Sequence, residues 1–153
     1  MYKLKTILLA EDNPQDVELT LEALTEHNIV NDVIAVKDGV ETMEYLNCEG
    51  RFKNRKKGNP AVLLLDIKMP RMDGIEVLEA IRRNNKLKTL PVVMLTSSRE
   101  EPDLVKCYEL GVNAYVVKPV DFKDFVEAVK HIGVFWGIFN EQPPSTYHYE
   151  LEE

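Results

Sequence analysis

Five residues in this chain carry groups suited to phosphate and hard metal ions, and each closes or follows a short apolar run. Glu11 and Asp12 follow Leu4–Ala10, Asp66 follows Pro60–Leu65, Thr96 closes the run from Pro91, and Lys118 follows Ala114–Val117. Three carboxylates brought together repel one another unless a cation joins them. Mg2+ meets that need because it binds few carboxylates, keeps waters and takes phosphate oxygens as remaining ligands. A lysine and a hydroxyl at the same rim complete a cradle for a phosphoryl group. Singly, each residue has an ordinary reading. An acid after a strand is commonly a turn former or cap, a threonine there means little, and Lys118-Pro119 suits an extended turn. The joint pattern is what points to function.

The apolar runs are short and rich in β-branched residues, as buried parallel strands are. They predict strands over about 4–10, 30–36, 60–66, 91–96 and 114–117. Between them lie helical patterns. Asn13-Pro14 opens the first, which runs to about His27. Val40, Met43 and Leu46 mark the second, and Ile75, Leu78 and Ile81 the third. A weaker fourth spans about 99–110, with Gly111 placed as a C-terminal cap. Asp121 caps the fifth, which carries Phe122, Phe125, Val126, Val129, Ile132, Trp136 and Phe139 on one face and ends before Pro143-Pro144. The segment 49–59 holds two glycines and five basic residues and reads as a solvated loop, with partner docking as the alternative.

Strands alternating with helices predict an α/β fold, a doubly wound five-stranded parallel sheet with helices on both faces. In such sheets the functional crevice lies beyond the carboxyl ends of the strands, where strand order reverses. That rule places all five chemical residues at one edge. None of His27, His131 and His148 follows a strand end facing that edge, so they read as structural or surface residues.

Length and charge exclude several classes. The chain has 153 residues, 44% hydrophobic and 29% charged, enough for one core. A net charge of −7 argues against nucleic-acid binding by bulk attraction. Cys48 and Cys107 form no CxxC pair, which predicts a reducing compartment and a cytoplasmic location. No apolar run approaches the roughly 18 residues of a membrane span.

The stretches Leu8-Leu9-Ala10-Glu11-Asp12-Asn13, Leu64 to Gly74, Leu95-Thr96-Ser97-Ser98 and Val117-Lys118-Pro119 resemble the receiver domain of bacterial response regulators, a flavodoxin-like (CheY-like) fold. The resemblance covers about residues 4–132 and implies a receiver domain over residues 1–132. It implies that Asp66 accepts a phosphoryl group from a histidine kinase. It further implies that Asp12, Asp66 and the backbone carbonyl of Lys68 ligate Mg2+, with Glu11 acting through a water. Lys118 would pair with the phosphoryl oxygen, Thr96 would move to bond it, Ser97 would line the pocket and Tyr115 would be the rotating switch. A receiver of this kind is a phosphoacceptor that promotes its own phosphorylation and dephosphorylation, rather than an enzyme on other substrates.

Residues 133–153 are too few for a DNA-binding output domain, so signalling is expected through contacts with a downstream protein. Val134, Phe135, Trp136, Ile138 and Phe139 make the end of the fifth helix apolar nearly all round, which predicts a homodimer or partner interface. Loop and extension together resemble the small response regulators that serve phytochrome-type, light-sensing histidine kinases. Two rivals are a scaffold that is never phosphorylated and a Mg2+-dependent phosphatase passing through an aspartyl phosphate. Such a phosphatase would need an acid where Lys68 stands.

Overall fold

A computed structural model describes residues 5–25 and 32–143. Its sheet has five parallel strands, β1 (Thr6–Ala10), β2 (Asp32–Val36), β3 (Val62–Leu65), β4 (Val92–Thr96) and β5 (Ala114–Val117), in the order β2-β1-β3-β4-β5. Ala10 lies level with Leu65 on β3, and Thr96 with Val117 on β5. The order reverses between β1 and β3, so the residues after those two strands become neighbours despite the distance between them in sequence.

Among the described residues five α-helices cover the sheet: α1 (Pro14–Thr25), α2 (Gly39–Leu46), α3 (Gly74–Arg83), α4 (Glu101–Glu109) and α5 (Phe122–Val134). Successive strand residues point to opposite faces. Ile7 and Leu9 therefore pack with Leu24, Val129 and Ile132 of α1 and α5, whereas Leu8 and Ala10 pack with Tyr45, Leu78, Ile81 and Cys107 of α2, α3 and α4. The central strands β1, β3 and β4 are buried on both faces, as their unbroken apolar runs require.

The helix ends follow the punctuation of the sequence. Asn13 accepts the Gln15 and Asp16 amides at 2.9 and 3.2 Å. Asp73 and Glu76 form a reciprocal capping box. Gly111 adopts φ 72°, with its amide on Tyr108 and that of Val112 on Cys107, a Schellman ending to α4. Asp121 accepts the Lys123 and Asp124 amides. Among the described residues, no helix is long and apolar enough to cross a membrane. The expected first residues of β1 and β2 (Leu4 and Val30), the end of α1 at His27, and His148 lie outside the described residues.

Two expectations need correction. The 49–59 segment is not simply a solvated loop. Gly50–Phe52 forms a 3-10 turn, and Phe52 meets Tyr45 edge-on at 5.0 Å. The Arg55 guanidinium stacks 4.0 Å from the Tyr45 ring while its Nε donates to the Tyr45 carbonyl at 2.7 Å. Cation–π attraction and buried carbonyl acceptors fix this part of the loop, and Lys53, Lys56 and Lys57 remain exposed. The second correction concerns the fifth helix. After Val134 it widens into a π-helical turn, Phe135–Phe139, closed by the Asn140 amide on the Phe135 carbonyl at 2.7 Å. A wider turn advances fewer degrees per residue. Trp136 stays on the core, but Phe139 turns off the buried stripe and is 73% exposed, and Phe122, on the first turn, is also exposed.

Candidate functional site

The site is built at the carboxyl ends of the strands by backbone bonds that continue the sheet. The Asp66 amide donates to the Ala10 carbonyl at 3.1 Å and the Glu11 amide to Val36 at 3.0 Å. The Lys118 amide donates to the Thr96 carbonyl at 2.7 Å. Gly74, the first residue of α3, presses on the backbone of Asp66, where a Cβ would collide with the Asp66 carbonyl.

Glu11, Asp12 and Asp66 each place a carboxylate oxygen within 4.8 Å of the others. Glu11 and Asp66 are buried and Asp12 is exposed. Lys118 Nζ pairs with Glu11, with Asp16 Oδ2 at 2.9 Å and with Asp66 Oδ2 at 3.4 Å. The other Asp66 oxygen, Oδ1, is buried with no hydrogen-bond partner among the described residues. A buried carboxylate oxygen left so is costly. Together with two more carboxylates at short range, it fits a hard divalent cation, whose oxygen ligands converge in this way. Burial pushes the Glu11 carboxyl up to about 7, with the Lys118 hydrogen bond opposing the rise. Burial works against the Lys118 charge, but the hydrogen bonds it donates to Glu11 and Asp16 and the nearby Asp66 charge hold its pKa above the ordinary lysine value.

Thr96 is fully buried at the end of β4, and its hydroxyl oxygen accepts the Ser98 amide at 3.3 Å. The hydroxyl tied into the network is that of Ser98, which donates to Asp103 of α4 at 2.7 Å. Ser97 is exposed beside it. Tyr115, on β5, donates to the Ser98 carbonyl at 3.0 Å. Lys68 is exposed, and its ammonium lies 3.9 Å from Asp103 rather than in the carboxylate cluster. His131 is exposed on α5, away from these groups.

The structure therefore brings together Glu11, Asp12, Asp66 and Lys118, with Thr96 at the adjoining strand end. It adds Asp16, Ser98 and Asp103, to which the sequence reading gave no role. Asp16 reads in sequence as an acid in the first turn of a helix, favoured there by the helix dipole. Only the placement of the first turn of α1 over the carboxyl edge of the sheet, where Lys118 Nζ reaches Asp16, reveals its lysine partner.

The response regulator receiver domain family matches residues 7–130. Response regulator Rcp1 of Synechocystis sp. is 40% identical over 132 residues, which cover 86% of this chain and 88% of that one; a solved Mn2+-bound form of Rcp1 superposes with a TM-score of 0.85. The phosphorylated cyanobacterial phytochrome response regulator RcpA is 38% identical over 93% of this chain and 100% of its own, with a TM-score of 0.86. The bacteriophytochrome response regulator RtBRR is 54% identical, covering 98% of this chain and 93% of its own, with a TM-score of 0.74.

Proposed function

From the premise that the chain belongs to the response regulator receiver domain family, we propose that Asp66 is its phosphoacceptor and a phytochrome-type histidine kinase its phosphodonor. One observation carries this reading. Asp66 presents one buried oxygen without a partner, while Lys118 stands 3.4 Å from the other. In the transfer an Asp66 oxygen attacks phosphorus as the bond to the donor histidine nitrogen breaks. The step needs positioning and charge neutralisation more than proton transfer. Lys118 supplies positive charge at the phosphoryl oxygens. Mg2+, held by Asp12, Asp66 and the Lys68 carbonyl, with Glu11 acting through a water, would supply the rest.

Thr96 leaves the Ser98 amide for the phosphoryl group, Ser97 lines the entrance, and Tyr115 reports the change by moving its ring. Residues 1–132 form the receiver and 133–153 an extension of it, and the signal passes through protein contacts in the cytoplasm. Phe135, Ile138 and Phe139, all about half exposed or more, form the centre of a two-fold dimer contact. The receiver promotes its own phosphorylation and dephosphorylation. Lys68, a cation paired toward Asp103, is unsuited to the acid–base role that a turnover phosphatase needs.

Mass spectrometry after incubation with a small phosphodonor and Mg2+ tests the reading. A single stable phosphoryl adduct is expected on the wild type and none on Asp66→Asn, because an amide cannot form the acyl phosphate. An adduct persisting in that variant overturns the assignment. The absence of any adduct on the wild type would favour a scaffold, and fast multiple turnover a phosphatase.

A further inference from the structure

Lys118 is held by more negative charge than a phosphate cradle requires. Its side chain is 9% exposed and its ammonium has three protons, and the structure gives it three carboxylates: Glu11, Asp16 and Asp66. Glu11 and Asp66 belong to the trio of oxygens that can converge on a cation. Asp16 does not. It comes from the first turn of α1, where the Asn13 side chain fixes its amide at 3.2 Å, and it sits nearer Nζ (2.9 Å) than Asp66 does (3.4 Å). When a divalent ion draws on Glu11, Asp12 and Asp66, Asp16 is the carboxylate left to the lysine.

We propose that Asp16 is a positioning residue that holds Lys118 in reserve and competes with the phosphoryl group on Asp66 for its ammonium. The inference rests on Asp66 as the phosphoacceptor. Its physical content is electrostatic. A carboxylate in contact with Lys118 offsets the charge that would bind a phosphoryl dianion, and it repels that dianion across a few ångströms. Asp16 thereby weakens the phosphorylated state relative to a site with the lysine alone, and sets how readily the lysine changes partner. Its own side chain is 27% exposed, so the effect is moderated by solvent.

The Asp16→Asn variant isolates this role, since the amide keeps an oxygen that can accept from Lys118 and loses only the charge. Beryllofluoride with Mg2+ serves as the phosphoryl analogue, and its affinity is read by calorimetry on the full chain. Tighter binding in the variant, on the order of two- to five-fold, is expected for a partly exposed pair. The gain should shrink at high salt, where the competing charge is screened. A purely structural role for Asp16 would give no such salt dependence. Asp16→Glu, which keeps the charge, should bind close to wild type. If the wild type binds the analogue and Asp16→Asn binds it equally or more weakly, the competition does not exist. If the wild type fails to bind it at all, the assignment of Asp66 falls, and the role of Asp16 with it.

Discussion

The Tyr115 hydroxyl donates to the carbonyl oxygen of Ser98, 3.0 Å away, and so ties the edge strand to the loop that leads from Thr96 into α4. Ser98 in turn gives its amide to Thr96 and its hydroxyl to Asp103. The aromatic side chain, the buried threonine and the first turn of α4 thus share one residue. Tyr115→Phe should cost about 1 kcal/mol, the net worth of a neutral hydrogen bond, and should speed amide exchange across residues 97–101. Exchange unchanged from wild type would show that the loop is held by other contacts.

A second latch joins the loops that flank the site. Arg71 donates through Nε and Nη2 to Asp38 Oδ2, at 2.9 and 2.8 Å. Burial opposes the Asp38 charge, but the Glu41 amide and Arg71 outweigh it and hold the carboxyl below its usual value. A depressed carboxyl contributes stability that is present above its unfolded pKa, near 3.8, and is lost as pH falls through the folded value. Arg71 is more than half exposed, which screens the pair. Arg71→Ala is expected to cost about 1 kcal/mol at pH 7 in urea denaturation, and less below pH 3. An equal cost at both pH values would assign the loss to packing.

Glu11 has the opposite sign. Its carboxyl is raised from 4.5 to about 7, so between those values the folded state binds more protons than the unfolded one. Without divalent ions, stability should therefore fall as pH rises from about 4.5 to 7, and Glu11→Gln should flatten that slope. Added Mg2+ should stabilise most at the upper end, where the carboxylate is formed. Equal slopes in wild type and variant, measured by thermal melting across this range, would remove the effect.

The exposed apolar side chains of the extension make an assembly prediction. Phe135, Ile138 and Phe139 forgo roughly 1.5–3 kcal/mol each by staying in water, and two-fold pairing is the commonest way to recover it. The double variant Phe135→Asp with Ile138→Lys should sediment as a folded monomer that still accepts phosphate. A wild type monomeric at high micromolar concentration would remove the dimer.

The two cysteines should differ sharply. Cys107 is fully buried, and burial followed by the charge of Asp103 pushes its thiol up to about 11. Cys48 is only partly buried, at φ 55°. Iodoacetamide at pH 8 should alkylate Cys48 first and leave Cys107 intact until the protein unfolds. Matching rates would indicate that α4 opens readily.

The five strands, the caps at Asn13 and Asp121 and the acidic edge were legible in the sequence because each rests on local pattern: apolar runs ended by acids, Asn13 before Pro14, Asp121 just before an apolar helical stripe. The fold class followed from alternation alone. Asp16 and Asp103 were not legible, because their roles depend on which helix lies beside which strand. Phe139 was misplaced because a helical wheel assumes one turn width, and the chain changes width at Phe135. Arg55 was read as solvated because composition cannot show that a tyrosine ring and its carbonyl lie within reach.

The pairing of β1 with β3 carries a consequence for biogenesis. The carboxylates at residues 11–12 and 66 and the lysine at 118 meet only when strands far apart in the chain have paired. Such long-range pairing is slow to form, and synthesis delivers Lys118 only after all five strands. A nascent or partly unfolded chain then holds Asp66 without its counter-charge, and, with Asp66 as the proposed phosphoacceptor, would be a poor substrate for any kinase. Competence to receive a signal arrives late in folding, which keeps incomplete molecules out of the circuit without a separate checking device.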